Sequence, residues 1–552
     1  MSVTSRKSSV VSMLWSLVAR SIERVRRWNG ALAERPFVSV AIVVVISLLL
    51  AIAGGAAVGF PEPVVHDEHS YLLGAETFAA GRLTNPRHPM AGFFQTFHVL
   101  QEPTYASKYP PAQALALATG IVLAGKPIVG VWLSFAIMCA GIYWMLRAWV
   151  GPRWALAGAV ALALRLASSY WVYQYWGGSV AALGGALVLG GARRVVDAPR
   201  ARDAVLMTLG AVLLANSRPY EGLLLCVPIA IVVLWWVVGR YSSQRRRLVA
   251  VALPAAALAA IAGVAMLRYN HAVTGHATRF PYLEYRAQYG RGPDFVWQEL
   301  RGVPLSADTL VRRYQEWELA SADSLRTPAG FASENIDRMK LTIAFFFPIW
   351  LLAPFLALPI ALRDRWSRVA AICLGVTLTG LALSSWYQPH YAAPATGLFI
   401  LLYFLCLAWC RRLRIGRFDA GRYVVAFVLA GWTASQLAKL AVPIARTRGT
   451  GVTPEWAHWA GRRADVEREL RSEPGLDLVI VRYGPDHDFH HEWVRNAADI
   501  DRAAVVWAHD RGAAENARLM EYFGDRKVWL LEVNDRAGGE RRRSVDRRKP
   551  NE

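Results

Sequence analysis

An acidic pair flanked by histidines stands out in FPEPVVHDEHSYLLGAETFAAGRL, where His66, Asp67, Glu68 and His69 open a stretch with helical character. A carboxylate there is suited to take the proton of an attacking hydroxyl. Acids at a helix start are also favoured by the helix dipole. That accounts for Asp67 and Glu68, but not for the flanking histidines or the position just beyond an apolar run. Other polar, aromatic knots follow: SKYPPAQALAL with Lys108, YWVYQYWGGSV, NSRPYEG with Arg218 and Glu221, RYNHAVTGH with Arg268 and His271, and SWYQPHYAAP with His390 and Tyr391. Anchoring at a membrane interface explains the Trp and Tyr residues. It does not ask for Arg218 or His390. Lys108, Arg218, Arg268 and His390 are candidates to hold an anion such as phosphate, with His66, His69 and Tyr391 as substrate contacts.

The elements that position these residues are membrane helices. The chain has 552 residues, 54% hydrophobic and only 19% charged. Its apolar runs reach roughly 17 to 25 residues, enough to cross ~30 Å of hydrocarbon. No alternation typical of a barrel strand is present. The formal charge of +21 would suggest nucleic acid in a soluble protein. Here the arginines sit in short loops between apolar runs, which is the cytoplasmic bias of membrane proteins, so no nucleic-acid partner is expected.

Charge places the first span at 37–58, with its N-terminal end cytoplasmic after Arg20, Arg24, Arg26, Arg27 and Arg35. Further spans fall at 127–149, 153–175, 178–192, 203–217, 219–239, 248–267, 341–361, 369–386, 393–410 and 422–441. The run PPAQALALATGIVLAG reads as an interfacial or re-entrant helix, because counting it as a span would put Arg-rich loops outside. The expected fold is thus an all-α polytopic bundle of about eleven spanning helices, with every polar knot on the extracytoplasmic face. Arg165 falls within the third span and should face the bundle interior or a wet cavity.

Residues 1–36 read as a basic amphipathic segment on the cytoplasmic surface, and 37–441 as the transmembrane domain with outer loops 59–126 and 268–340. Residues 442–535 read as a small extracytoplasmic α/β domain. There LDLVIVRY, AAVVWAHD and RKVWLLEV are strand-like and AAENARLMEYF is helical. Residues 536–552 read as a disordered basic tail. Cys139, Cys226, Cys373, Cys406 and Cys410 all lie in apolar runs, so they read as core residues. In RYGPDHDFHHEWVRN, His487, His490 and His491 lack a recognised metal-ligand spacing and read as a polar loop.

The order of these features resembles the GT-C membrane glycosyltransferases: protein O-mannosyltransferases, aminoarabinose transferases, and the family-39-like and RgtA/B/C/D-like proteins. The resemblance covers about residues 37–440. It rests on one span, then a long outer loop opening with HDEHSYLLGAETFAAGRL and ending in SKYPPAQALAL before an apolar interfacial helix. It implies a GT-C-like fold in a bacterial plasma membrane. It implies transfer of a sugar from a polyprenyl-phosphate donor to a glycan, lipid or protein acceptor at the extracytoplasmic face, by inverting displacement. Asp67 matches the position of the base, Glu68 its neighbour, and Lys108 the lysine that contacts donor phosphate, with Tyr109 standing between that lysine and the proline pair.

The chemistry agrees. A departing phosphate needs positive charge more than protonation, and a carboxylate in a partly dry site is expected to have a raised pKa suited to a base. No cofactor is required by such a scheme, and no metal; His66, Asp67 and His69 are the trio that could take a divalent ion. A transporter or flippase for a lipid-linked sugar is the alternative reading, but no repeated halves are visible. A non-catalytic envelope assembly protein is a third.

Overall fold

The computed structural model describes residues 30–241, 243–299, 306, 308–447, 458–534 and 539–544. The basic segment expected at 1–36 thus lies outside the described residues up to position 29. The described chain is mainly helical. Its helices are α1 (Pro36–Val58), α2 (His66–Ala79), α3 (Pro111–Ala124), α4 (Pro127–Trp149), α5 (Pro152–Leu166), α6 (Ser179–Asp197), α7 (Ala201–Ala215), α8 (Pro219–Tyr241), α9 (Arg245–Thr274) and α10 (Pro281–Gln288). They continue with α11 (Thr309–Ser324), α12 (Pro328–Phe346), α13 (Arg365–Ala382), α14 (Thr396–Cys410), α15 (Ala420–Thr447), α16 (His458–Ser472) and α17 (Ala513–Tyr522).

Among the described residues, seven helices are long and apolar enough to cross a membrane, or eight if one bent pair counts as a single span. About eleven were expected, and the difference has physical causes. The expected span 153–175 stops at Leu166, where Ser169 opens a new single turn by accepting the Trp171 N–H. Helix α7 has only 15 residues. In α13 the first turn carries Arg365 and Arg368. The run 341–361 bends by 80° after Phe346, where Pro348, Pro354 and Pro359 cannot donate to a helical ladder. α3 is a short apolar helix, as the interfacial reading requires.

Helix packing follows membrane rules. Val249, Leu253, Ile261 and Val264 of α9 are exposed, as on a helix facing lipid. α6 and α7 approach through glycines: a Cβ on Gly210 would meet the Gly184 carbonyl at 2.5 Å, so only a bare backbone fits there. The five cysteines are free, and Cys139, Cys373 and Cys406 are buried. Arg165 sits in the last turn of α5 rather than mid-span. It donates to Gln436 Oε1 at 3.3 Å and to the Ala344 carbonyl, tying three helices together.

Two small sheets complete the fold. β1 (Val99–Leu100) and β2 (Ala106–Ser107) form a hairpin in register Val99↔Ser107. Near the C-terminus lie β3 (Asp477–Tyr483), β4 (Val505–His509), β5 (Lys527–Asn534) and β6 (Gly539–Ser544), in the order β4-β3-β5-β6. β3 is parallel to both neighbours, and α17 makes the crossover from β4 to β5. This is the expected strand–helix–strand layer. The expected disordered tail needs correction, since 539–544 pairs antiparallel with β5, whose edge would otherwise present unpaired N–H and C=O groups.

Candidate active site

The first turn of α2 sorts its side chains by burial. His66, Glu68, His69 and Ser70 are buried, whereas the Asp67 side chain keeps 26% of its surface open. Adjacent helical residues point about 100° apart, so the two acids have different surroundings. Glu68 Oε2 accepts the N–H groups of Val64 at 2.8 Å and Val65 at 3.2 Å, and Oε1 accepts the N–H of Tyr175 at 2.8 Å. It reaches back to the N–H of the N-cap residue Val65 and pins the 167–178 connection to α2. Burial pushes its pKa up to about 7, against the three backbone donors.

The geometry therefore makes Glu68 a positioning group, not a second acid at the reacting atoms. Glu68→Gln places an NH2 where one set of N–H donors points, which should destabilise the fold by about 1–3 kcal/mol. The thermal midpoint in detergent reads this loss, and transfer per folded molecule should stay within a few-fold. Because the folded pKa is raised, Glu68 favours folding below the ordinary carboxylate range and loses that contribution as pH rises through about 7. The variant should lack that slope.

The β1–β2 hairpin brings the partners of Asp67. Ser70 Oγ donates to the His98 carbonyl at 2.6 Å and bonds Ser107 Oγ at 2.7 Å, locking the hairpin to α2. Lys108 N–H donates to the same His98 carbonyl at 3.2 Å. Across this junction Tyr109 OH donates to Asp67 Oδ1, and His98 Nδ1 lies 3.5 Å from Asp67 Oδ2 and 3.1 Å from Tyr109 OH. His98 is a non-glycine residue at φ 64°, a conformation that costs on the order of 1–2 kcal/mol. Its surroundings enforce it: the His98 N–H donates to Tyr285 OH at 3.0 Å, and Nε2 bonds Tyr314 OH at 3.1 Å.

The electrostatics of Asp67 run opposite to the expectation. Burial alone would raise its pKa, but His98, Lys108 and the Tyr109 hydrogen bond together hold it well below the usual carboxylate range. Lys108 is buried, with Nζ 4.7 Å from the Tyr285 ring centre, 5.1 Å from Tyr109 and 5.3 Å from Tyr282. Among the described residues Nζ makes no hydrogen bond or ion pair. Burial brings its pKa down to about 7, although Asp67 pulls it up.

Arg218 stands on the other side. Its guanidinium covers the Tyr391 ring at 4.3 Å and reaches Glu221 at 3.5 Å. Tyr71, stacked on Tyr109 at 4.4 Å, feels both Arg218 and Asp67. His390 is buried, and its Nδ1 and backbone N–H both bond Tyr170 OH at 3.0 Å.

Asp67, Lys108, Arg218, Tyr391 and His390 thus converge at one end of the bundle. Two expected residues do not join them. Arg268 is exposed, on the face of α9 opposite buried Tyr269 and Asn270, because the helical turn that buries its neighbours points it away. His69 is turned toward the C-terminal region. Arg495 Nη1 bonds its ring and also donates to the Pro63 carbonyl at 2.9 Å. His66 is buried with Nε2 unpaired, its ring 4.3 Å from Phe97 and 5.9 Å from His490. The trio His66, Asp67 and His69 therefore does not converge on a metal. Among the described residues no group of three or more His, Cys, Asp or Glu is placed to hold one.

His98, Tyr285 and Tyr314 were not singled out by sequence, and Tyr109 was read only as an insertion between Lys108 and the proline pair. The usable signal was the hairpin itself: Val99 and Leu100 before a Glu-Pro turn and Ala106 and Ser107 after it, followed at once by Lys108 and Tyr109. Residues of α9, α10 and α11 then cover the hairpin. Arg286 of α10 pairs with Glu318 of α11 at 2.6 Å and with Asp294 at 3.2 Å, which sets Tyr285 and Tyr314 around His98.

No protein-family model matches the chain, and no curated protein matches it by sequence. Among solved structures it is similar to ArnT from Cupriavidus metallidurans in the apo state, at 14% identity and TM-score 0.49 over 90% of this chain and 93% of that one. It is similar to the same protein bound to undecaprenyl phosphate, at 15% identity and TM-score 0.46 with the same coverage. It is also similar to the oligosaccharyltransferase AglB from Archaeoglobus fulgidus in complex with an inhibitory peptide and a dolichol-phosphate, at 12% identity and TM-score 0.43 over 89% and 69% of the two chains.

Proposed function

We propose that this protein transfers a sugar from a polyprenyl-phosphate donor to an acceptor hydroxyl at the extracytoplasmic face of a bacterial plasma membrane. The observation that carries the reading is the pairing of a partly open, ionised Asp67 with Lys108, a buried amine that feels the Asp67 charge but makes no direct ion pair among the described residues. A buried ammonium with no counter-ion in direct contact is costly unless a ligand supplies one.

The residues divide the work. Lys108 holds the bridging phosphate of the donor, and Arg218, over Tyr391, offers a second cation. The acceptor oxygen attacks the anomeric carbon from the face opposite the phosphate, so the C–O bond to phosphate breaks as the new C–O bond forms. The leaving polyprenyl phosphate departs as an anion stabilised by those cations. Asp67 receives the acceptor proton as its oxygen becomes positive. Tyr109 and His98 fix the carboxylate and pass the proton outward afterwards. A low-pKa carboxylate suffices, because the proton is acidified by bond formation at the attacking oxygen.

The direct test is the purified full-length protein in liposomes with a polyprenyl-phosphate sugar carrying a labelled sugar. Release of polyprenyl phosphate matched by label in an acceptor fraction is the expected result. Movement of intact donor across the bilayer with no cleavage would make the protein a flippase instead. A mass-spectrometric comparison of envelope glycans with and without the protein should identify the product.

A further inference from the structure

The cluster around Asp67 does not end at His98. Tyr314 OH bonds His98 Nε2 at 3.1 Å, and beyond Tyr314 a series of rings runs outward. Phe489 lies 5.9 Å from Tyr314, and Trp317 lies 6.0 Å from Phe489 and 5.2 Å from His490. Trp386 stands 5.4 Å from Trp317 at an interplanar angle of 31°. Trp317 is 37% exposed, and His490 is exposed beside it.

The rings come from three distant parts of the chain: helix α11, the stretch after α13, and the loop after β3. That loop is built to present them. Asp488 Oδ1 accepts the His490 N–H at 2.9 Å, and Arg313 Nη1 donates to the His487 carbonyl at 2.8 Å.

We infer that the acceptor is a carbohydrate chain, whose sugar rings lie on the wall formed by Trp317, Trp386, Phe489 and His490 and lead its terminal hydroxyl to Asp67. This rests on the transfer reading above. A pyranose or furanose has an apolar C–H face and a polar rim, so it suits half-exposed rings with polar atoms at their edges. Here His490 and Tyr314 supply such edges. A lipid acceptor would call for an apolar groove without them. A peptide acceptor has no need of ring faces set at successive tilts. The assignment also gives the C-terminal sheet a role, since its loop supplies two of the four rings.

The test uses full-length protein in detergent and saturation-transfer NMR with a panel of neutral hexose and pentose tetrasaccharides. Ring C–H protons of at least one member should receive saturation. The contact should weaken about tenfold or more in Trp317→Ala combined with His490→Ala, with the thermal midpoint unchanged, and persist in Asp67→Asn.

Saturation of none of the sugars, or equal saturation in the double variant, overturns the inference. So does a Ser/Thr-rich peptide whose contact depends on the same two rings. Quenching of Trp317 fluorescence by brominated lipid would make the wall a membrane anchor and would overturn it too. If sugar contact persists while donor is never cleaved, the transfer reading fails and the carbohydrate site stands.

Discussion

Asp67→Asn should lower sugar transfer by roughly 10²–10⁴-fold, the range for loss of a positioned general base, while the protein still binds polyprenyl phosphate. The substitution keeps the shape and leaves Tyr109 OH an oxygen to donate to. It removes only the charge and the basic site. Thermal stability should fall modestly at neutral pH. The folded pKa of Asp67 is depressed, so its ionised form adds stability above the ordinary carboxylate range and loses it as pH falls below that range. The same depression shapes the rate profile. No acid limb belonging to Asp67 should appear between pH 5 and about 7, because the carboxylate is already ionised throughout that interval. Unaltered transfer by the variant, with folding intact, would remove Asp67 from the reaction. An acid limb near neutrality that vanishes in Asp67→Asn would overturn the electrostatic account.

That profile was not legible in sequence, and the reason is local. Dryness around a carboxylate argues for a raised pKa, and Asp67 is in a dry place. The opposing groups, His98 and Lys108, lie about 30 and 40 positions away along the chain, brought back by a hairpin only two residues long on each strand. A pairing that short leaves almost no periodic signal. The membrane helices were legible because a run such as Pro36–Ala56, with mean hydropathy 2.9, admits few alternatives to a spanning helix. Their count was less so, because Pro348 and the break after Leu166 cut apolar runs that composition alone leaves continuous. The strands of the C-terminal sheet were visible as β-branched runs, whereas its contact with α2 through Arg495 and His69 was not. Long-range polar contacts between separate units carry no sequence period.

Lys108→Met should weaken binding of polyprenyl phosphate by about 30-fold to 10³-fold, the effect expected when one member of a buried charge pair is removed. In the absence of donor the same variant should be more stable than the parent. Lys108 has a folded pKa near 7, far below its ordinary value. The unfolded chain therefore binds its proton more readily, and the charged form costs on the order of 1.4 kcal/mol for each unit of depression. Stability from this group rises with pH from about 7 toward the ordinary lysine range, and Lys108→Met should abolish that rise.

The sign of the two effects is the point. A lysine kept for packing or for a structural ion pair would lower stability when replaced. A lysine held ready for an anion raises stability and forfeits binding, as sites strained for function do. Donor affinity should also fall as pH climbs through about 7 in the parent. It should stay level in Lys108→Arg, because guanidinium keeps its charge there. Isothermal titration with polyprenyl phosphate at pH 6 and pH 9, beside thermal midpoints of the three proteins, measures both. A destabilised Lys108→Met with undiminished phosphate affinity would leave the buried ammonium without a purpose in donor binding.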